Sequence, residues 1–594
     1  MRKKRIVAAS AMVAAVGLTV AACGNSSGTG SSGGSSSYGA ALTGVVNAST
    51  STTGNVVMED ASALQSADPN ATYDATDWDV DRLWARTVLA FAKEPGKGSN
   101  SIVADLGTAE GTSSDNNTVW SYTIRSGAEF QNGDPITAED VAYSIARSGG
   151  WGSVITGGPS YFKEYIANTN SKAGTLETSA SQVPSLLPSG ITVSGQTITF
   201  HLSQSVSDFD YLMTLPETAP FDIQAGPDKG TSYANSVISS SSYEIQSYSP
   251  DSQMVLVPNP KYTSASDPNN LHPVHASTIT LKFNVAQDTI DQDILHGRAE
   301  ADLGGVGVDT SSQATVLSNP TYKSYADDPV DGFEDYLSLN TQVAPMNNLD
   351  CRQAIEYGIN KAQVQAVAGG TIGAGQIATT IIPPTVNGYV DTNVYATAGN
   401  IGDMSKAQSL VAACRTAEGS NWNPVVNISA FSDQPKVVDM SNAIVQQLNT
   451  MGFTSTVKPF KFSNWGTTIG NFSWEKSNRV LIANAAWGPD FPDGNGFLQF
   501  MIGAAGVNYT SNASNYAYWS DNTFMGYLTK AEETSDSTAR NAIWAEADKY
   551  ALQQAVVVPL LDTTALDVRS KNATNVYFMD AYGMYDYAAI GATS

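Results

Sequence analysis

The stretch VWSYTIRSGAEFQNGDPITAEDVAYSIAR, residues 119–147, carries more specific local structure than any other part of this 594-residue chain. Trp120, Tyr122 and Ile124 alternate with Ser121, Thr123 and Arg125, the period-2 pattern of a strand with one buried face. Asn132-Gly133 supplies the positive-φ residues of a tight turn. A helix is predicted to follow. Thr137 caps its first N–H groups, Asp140 takes the acidic place of a capping box, and Val141 and Ile145 begin an apolar stripe.

Three further segments stand out downstream: Tyr336-Leu-Ser-Leu-Asn340-Thr341, Cys351-Arg352-Gln353-Ala354-Ile355-Glu356-Tyr357 and Trp487-Gly488-Pro489-Asp490-Phe491-Pro492-Asp493. With the succession of strand, Arg125-x-Gly127-x-x-Phe130, turn and Thr137-Ala-Glu-Asp-Val-x-Tyr-Ser, they resemble, in order, the signature of the family 5 extracellular solute-binding proteins, the peptide-binding receptors of ABC importers. The resemblance covers most of the chain after about residue 70. It implies an α/β, two-lobed periplasmic-binding-protein-like fold of the class II, cluster C type, with mixed and largely parallel sheets and an enlarged lobe I. Two sites depart from the family pattern. Its usual Gly-Thr-Gly-Pro-Tyr reads Ser239-Ser240-Ser241-Ser242-Tyr243, and its Ile-Asp-Arg reads Ile359-Asn360-Lys361.

The second half shows the architecture from its own pattern. Val425 to Phe431 reads as a buried strand, Pro435 to Met451 as a helix, and Phe453 to Phe460 as a returning strand, which makes a βαβ unit. A second helix is expected around Trp465, and Val480 to Ala486 gives another strand, so a largely parallel sheet with helical crossovers follows. Open sheets of this kind bind ligands beyond the carboxyl ends of their strands, where Trp487-Gly488-Pro489-Asp490 lies. The first half reads as a mostly β lobe, with a hairpin about Ser194-Gly195 and strands at Ser252–Pro258 and Thr278–Phe283. The expected division is lobe I over 45–325 including an extra subdomain, lobe II over 326–554, and a return to lobe I over 555–594, led by Val556 to Leu560. Segments crossing between lobes imply hinge closure around the ligand.

The N-terminus reads as an export signal. Arg2, Lys3, Lys4 and Arg5 precede an apolar run from Ile6 to Val20, roughly 15 residues against the roughly 20 that span a bilayer. Val20-Ala21-Ala22-Cys23-Gly24 looks like a bacterial lipobox. Residues 1–22 are therefore expected to be a signal peptide, Cys23 the lipid-bearing mature N-terminus, and 23–44 a Gly/Ser-rich tether. Localisation follows as the outer face of the bacterial cytoplasmic membrane. The alternative is an ordinary secretory signal with a coincidental cysteine. Lipidation of Cys23 leaves Cys351 and Cys414 in an oxidising compartment, where one disulfide is expected and two buried thiols are the alternative.

Composition fits an exported globular receptor: 42% hydrophobic residues, 15% charged, and a formal net charge of −25. So acidic a surface repels phosphate backbones and anionic lipid, which argues against nucleic acid as a partner and assigns membrane attachment to the lipid. Gly24-Asn-Ser26-Ser-Gly28 and Gly28-Thr-Gly30-Ser-Ser-Gly33 match a nucleophile elbow and a dinucleotide fingerprint in form only, since neither lies between a strand and a helix. The four histidines, His201, His272, His275 and His296, show no zinc-helix spacing, and Pro273 interrupts the one close pair. Asp77-Trp-Asp79-Val-Asp81 lacks the glycine and closing glutamate of a calcium loop and reads as a solvated capping cluster. No metal, cofactor or covalent chemistry is expected, and a secreted hydrolase on a two-lobed fold is the remote alternative.

Asp490 is the candidate for a ligand ammonium, because a charge-assisted hydrogen bond strengthens when closure expels water. In peptide-binding family members the aspartate at the matching position takes the α-amino group. Trp487, Gly488 and Trp465 complete the candidate pocket, with the two rings covering ligand side chains without demanding one sequence. The alternative for Asp490 is an ordinary turn residue, and for the tryptophans a place in the core. The expected function is a monomeric receptor that captures di- or oligopeptides for an ABC permease, with an oligosaccharide or a chelated metal as alternative cargo. Gly149–Ser189, rich in Gly, Ser and Thr, gives no site.

Overall fold

The computed structural model describes residues 37–148, 155, 161–167, 180–432, 434–511 and 513–593, without the side chains of 180, 462 and 463. The signal segment and Cys23 lie outside them. Val119–Thr123 forms the predicted strand, with Trp120 and Tyr122 buried and Thr123 exposed. It pairs antiparallel with Thr112–Ser114 and with Thr197–His201, whose own hairpin partner is Ile191–Ser194 across Gly195 at φ 59°. The turn closes through Gly133 N donating to Phe130 O at 2.8 Å, with Gly133 at φ 92°. The capping box of the helix Ala138–Arg147 is complete: Asp140 N donates to Thr137 Oγ1, and Thr137 N donates to Asp140 Oδ2 at 2.7 Å.

A five-stranded sheet lies beside this unit, built from β1 (Asn55–Glu59), β2 (Tyr243–Ser249), β3 (Gln253–Pro258), β4 (Thr278–Lys282) and β5 (Ala301–Asp302) in the order β5-β1-β4-β3-β2. Its core joins Trp84, Tyr122, Phe130 and Val141 to the C-terminal Phe578, Tyr585 and Ile590, so the first lobe is closed by the end of the chain.

The second lobe is a six-stranded sheet of β6 (Val330–Leu339), β7 (Gln376–Ile377), β8 (Asn427–Phe431), β9 (Val457–Phe460), β10 (Val480–Trp487) and β11 (Val557–Thr564) in the order β7-β11-β6-β10-β8-β9. Alternation along β6 divides the core between the two faces. Leu337 and Leu339 pack with Ile355 and Val411 on one side, and Tyr336 with Phe497 and Trp544 on the other. Cys351 and Cys414 are joined on the first of these faces, Sγ–Sγ 2.07 Å.

Three details differ from the sequence reading. The βαβ unit β8–helix Pro435–Met451–β9 forms as predicted, but parallel pairing is confined to β9-β8-β10, and β6, β7 and β11 join the sheet antiparallel. Trp465 lies in a 3₁₀ turn, Phe462–Thr467, and the α-helix begins only at Phe472; Gly466 and Gly470 weaken an α-helix between them. The third difference moves a boundary: β11 does not enter lobe I but sits at the centre of the second sheet, between β7 and β6. Its run Val557 to Leu561 is buried on both faces, which suits a central strand, and Pro559 is accommodated where the β6–β11 register shifts. Lobe II thus extends through Thr564.

The lobes are joined by two short strands that pair antiparallel, Ala326–Asp327 and Asp567–Val568. Arg569 pairs with the Asp327 carboxylate, and Tyr585 Oη donates to it at 2.7 Å. The start of the described chain docks on the same strands: Gly39 N donates to Ala326 O at 2.9 Å and Ala41 N to Asp327 Oδ1 at 3.0 Å.

Candidate functional site

β10 carries the chain to the cleft at Trp487. Gly488 follows with its backbone against the Phe333 ring, where an added Cβ would lie 2.5 Å from the ring carbons. Trp487 is half-buried and its Nε1 donates to Gly496 O at 3.2 Å. Asp490, also half-buried, is met from the other lobe: Tyr73 Oη and Tyr161 Oη both donate to its Oδ2, at 2.9 and 2.6 Å. Oδ1 has no partner among the described residues. Burial pushes the Asp490 carboxyl up to about 6, against the pull of the two hydroxyls.

Aromatic rings surround this contact. Tyr73 stacks on Trp78 at 5.7 Å, Tyr161 meets Phe500 edge-on at 4.8 Å, and Phe491 stacks on Tyr211 at 5.2 Å. Trp465 is not part of this group. It is half-buried against Phe431, Phe460, Ile469 and Val480, and Tyr516 packs against both that cluster and the one Trp487 joins. Further bonds cross between the lobes: Asn387 Nδ2 to Tyr211 Oη at 3.3 Å, Lys97 Nζ to Pro384 O at 3.0 Å and Asn100 Nδ2 to Thr385 O at 3.0 Å. The lobes are closed on one another here.

Residues 101–509 match the family model of the bacterial extracellular solute-binding proteins, family 5. The chain belongs to this family. Among curated relatives, this solute-binding protein is 23% identical to the probable D,D-dipeptide-binding periplasmic protein DdpA of Escherichia coli K12, over 85% of this chain and 88% of that one. It is 22% identical to the oligopeptide-binding protein OppA of Bacillus subtilis 168, over 79% and 83%. Among solved structures, the clavulanic acid biosynthesis oligopeptide binding protein 2 superposes with a TM-score of 0.88 at 25% identity, covering 94% of this chain and 99% of that one. The Helicobacter pylori DppA in complex with the peptide STSA gives 0.68 at 18% identity, over 91% and 98%.

In this solute-binding protein the short helix Tyr161–Tyr165 grips lobe II twice, since its residues four apart share a face. Tyr161 holds Asp490, while Tyr165 Oη donates to Glu532 Oε1 at 3.1 Å and accepts from Asn495 Nδ2 at 3.3 Å. This helix lies within the segment that gave no site from sequence, and its Tyr-x-x-x-Tyr spacing was the available signal. Around Tyr165, Asp208 accepts from Asn495 Nδ2 at 3.3 Å, Gln204 Nε2 donates to Glu532 at 3.0 Å, and Arg540 stands 3.7 Å from Asp493. Asp208 Oδ1 has no partner among the described residues.

Burial, reinforced by the charge of Asp208, pushes Asp493 up to about 7 and Glu532 up to about 8. A carboxyl raised on folding contributes stability that is complete below its ordinary value, 3.8 for Asp and 4.5 for Glu, and is lost as pH rises through the folded value. The melting temperature is therefore expected to fall between pH 5 and pH 8, and Glu532→Gln to make the slope shallower. Calorimetric scans across that range check this; a flat or rising profile would contradict it.

Two sequence motifs find structural roles inside lobe I. Asp77, Asp79 and Asp81 are buried, not solvated as expected: Gln65 N donates to Asp77, Arg82 pairs with Asp79, and Thr72 Oγ1 donates to Asp81. The helix they occupy fixes Arg82, which reaches on to Asp586 at 2.6 Å. Ser241, His272 and Asp105 form a hydrogen-bonded row, with Ser241 Oγ 3.0 Å from His272 Nδ1 and His272 Nε2 2.9 Å from Asp105 Oδ2. The three residue types are those of a hydrolase triad, but the ring is reversed, with the serine on Nδ1 and the acid on Nε2, all three side chains are buried, and the serine hydroxyl donates to Arg82 O at 2.8 Å. Burial alone would raise Asp105, but Arg86 and His272 outweigh it and hold the carboxyl at about 2. The row ties the Arg82 segment to the departing Ser239–Ser242 run and presents no nucleophile to solvent.

Proposed function

We propose that the cleft captures di- or oligopeptides by their free α-ammonium and presents them to the permease of an ABC importer. The observation that carries this is Asp490: a half-buried carboxylate at the carboxyl end of β10, braced on one oxygen by two tyrosines of the opposite lobe, with its other oxygen unpartnered among the described residues. A ligand ammonium on Oδ1 adds a charge-assisted bond beside aromatic rings, a bond that strengthens as the ligand excludes water. Relatives named for dipeptides and oligopeptides support the same reading. Trp487 and Gly488 shape the strand end beside it, while Trp465 packs in another cluster. Binding one end of the peptide leaves side chains to the rings, which suits a broad sequence range. The receptor acts as a monomer, carries out no covalent step, and is held at the outer face of the cytoplasmic membrane by lipid on Cys23.

A thermal-shift series with mixed di-, tri- and pentapeptides tests the reading. At about 100 times Kd a ligand stabilises the fold by about 2.7 kcal/mol. Peptides are expected to raise the melting temperature, and the rise to vanish on N-acetylation and in Asp490→Asn. An equal rise with acetylated peptides would remove Asp490 from the role. A rise with oligosaccharides or nickel chelates alone would keep the receptor and replace its cargo.

A further inference from the structure

Beyond Asp490 the lobes meet again around Glu532, and here acids from both sides are buried against one another. Lobe I holds Glu532 at each carboxylate oxygen: Tyr165 Oη donates to Oε1 at 3.1 Å and Gln204 Nε2 to Oε2 at 3.0 Å. From lobe II, Asn495 Nδ2 reaches Tyr165 Oη and Asp208 Oδ2, each at 3.3 Å. The main chains join as well, since Ser207 N donates to Glu532 O at 2.8 Å. A side bond lies next to them, from Asn117 Nδ2 to Ser535 Oγ at 2.9 Å. None of these contacts involves the Asp490 carboxylate or the place of a ligand.

The charges in this interface do not balance. Asp208 is 4% exposed, Asp493 0% and Glu532 4%. Glu164, Asp210 and the Tyr165 and Tyr211 hydroxyls face the same three carboxyls, and Arg540 is the one cation facing them among the described residues. Arg540 stands 3.7 Å from Asp493 and donates to Ser207 Oγ at 3.4 Å. With all three carboxyls ionised, a single guanidinium leaves two buried negative charges without a counter-ion. A buried group in that position binds a proton instead. The direction of each carboxyl agrees: burial raises all three, and the charge of Asp208 adds to the rise of Asp493, to about 7, and of Glu532, to about 8.

We propose that this interface is a proton-set latch: closing the lobes takes up a proton at the cluster of Asp208, Asp493 and Glu532, and withdrawing that proton frees the lobes to open. Two of the acids belong to lobe II and one to lobe I, so separation admits water between them and restores ordinary ionisation. The closed form therefore binds more protons than the open form. Its share is greatest below the ordinary carboxylate value, 4.5 for Glu532, and falls as pH rises to about 8. The latch acts with or without cargo and does not rest on the reading of Asp490.

Small-angle X-ray scattering of the ligand-free, full-length protein between pH 5 and pH 9 tests it, with far-UV circular dichroism to show that the fold persists. The radius of gyration is expected to rise with pH, the ratio of closed to open falling about tenfold or more between pH 5.5 and pH 8.5. In Glu532→Gln a neutral amide stands for the protonated acid, and this variant is expected to stay compact at pH 8.5. Asp493→Asn is expected to shift the same way, and carries the comparison if the first variant does not fold. Asp490→Asn, at the other contact, is expected to leave the rise above pH 7 in place, because that carboxyl titrates at about 6. A radius independent of pH in the native protein overturns the proposal. So does a rise that Glu532→Gln and Asp493→Asn leave unchanged, or one that Asp490→Asn abolishes.

Discussion

Replacing Arg147 by alanine is expected to destabilise the fold by about 3–5 kcal/mol, the cost of leaving buried charge without its partner. Arg147 is the last residue of the helix that the opening strand–turn–helix segment builds, and its side chain is fully buried. Its Nη1 lies 2.9 Å from Asp68 and its Nε 2.9 Å from Asp228, and Nη1 also donates to Asn70 Oδ1 at 2.9 Å. The guanidinium rests over the Phe221 ring at 4.7 Å. Burial raises the Asp228 carboxyl, but its bonds to Arg147 outweigh this and hold it below the ordinary value. Truncation therefore strands two acids in a core and opens a cavity beside Phe221. Urea titration should show the midpoint fall steeply with an unchanged slope. Adding Asp68→Asn and Asp228→Asn to the alanine variant should recover part of the loss, because neutral acceptors are less costly to leave unpaired. A loss of under about 1 kcal/mol in the single variant would show that the triad does not hold the first lobe together.

Breaking the Cys351–Cys414 bridge is the second large effect. It closes a loop of 63 residues, for which the chain-entropy relation gives about 4 kcal/mol. Both cysteines are buried in the core that also holds Ile355, Val411 and Leu448, so the bond ties the helices Leu349–Gly358 and Met404–Glu418 on one face of the second sheet. Cys351→Ser with Cys414→Ser is expected to lower the urea midpoint by the corresponding amount. Native protein unfolded without reductant should give no alkylation at either position; alkylation there would show free thiols and remove the effect.

Local devices were the most legible. The capping box of Thr137 and Asp140, the Asn132-Gly133 turn and the Ser194-Gly195 hairpin depend on residues a few positions apart, the βαβ unit on the continuous stretch Asn427 to Phe460, and each forms where the pattern puts it. Partner choice was less so. The run from Val556 to Leu560 announces a buried strand, but nothing in it says which sheet it completes, and the structure places it in the second. The same limit governs the cleft. Asp490 was visible because it ends a strand beside a tryptophan, whereas the tyrosines that hold it lie 417 and 329 residues away in sequence. Spacing carries no information over that range. Trp465 is grouped with Trp487 by motif, but it sits in a 3₁₀ turn and packs against another cluster.

The docking of Gly39 and Ala41 on the strand Ala326–Asp327 has a mechanical consequence. These residues attach where the chain passes between the lobes and not at the tip of either, so the described chain begins where a swing of one lobe on the other would displace it least. A cord fastened at the axis of a clam shell exerts almost no torque on its valves. A pull applied at Gly39 would thus act near the axis of that swing and oppose it little.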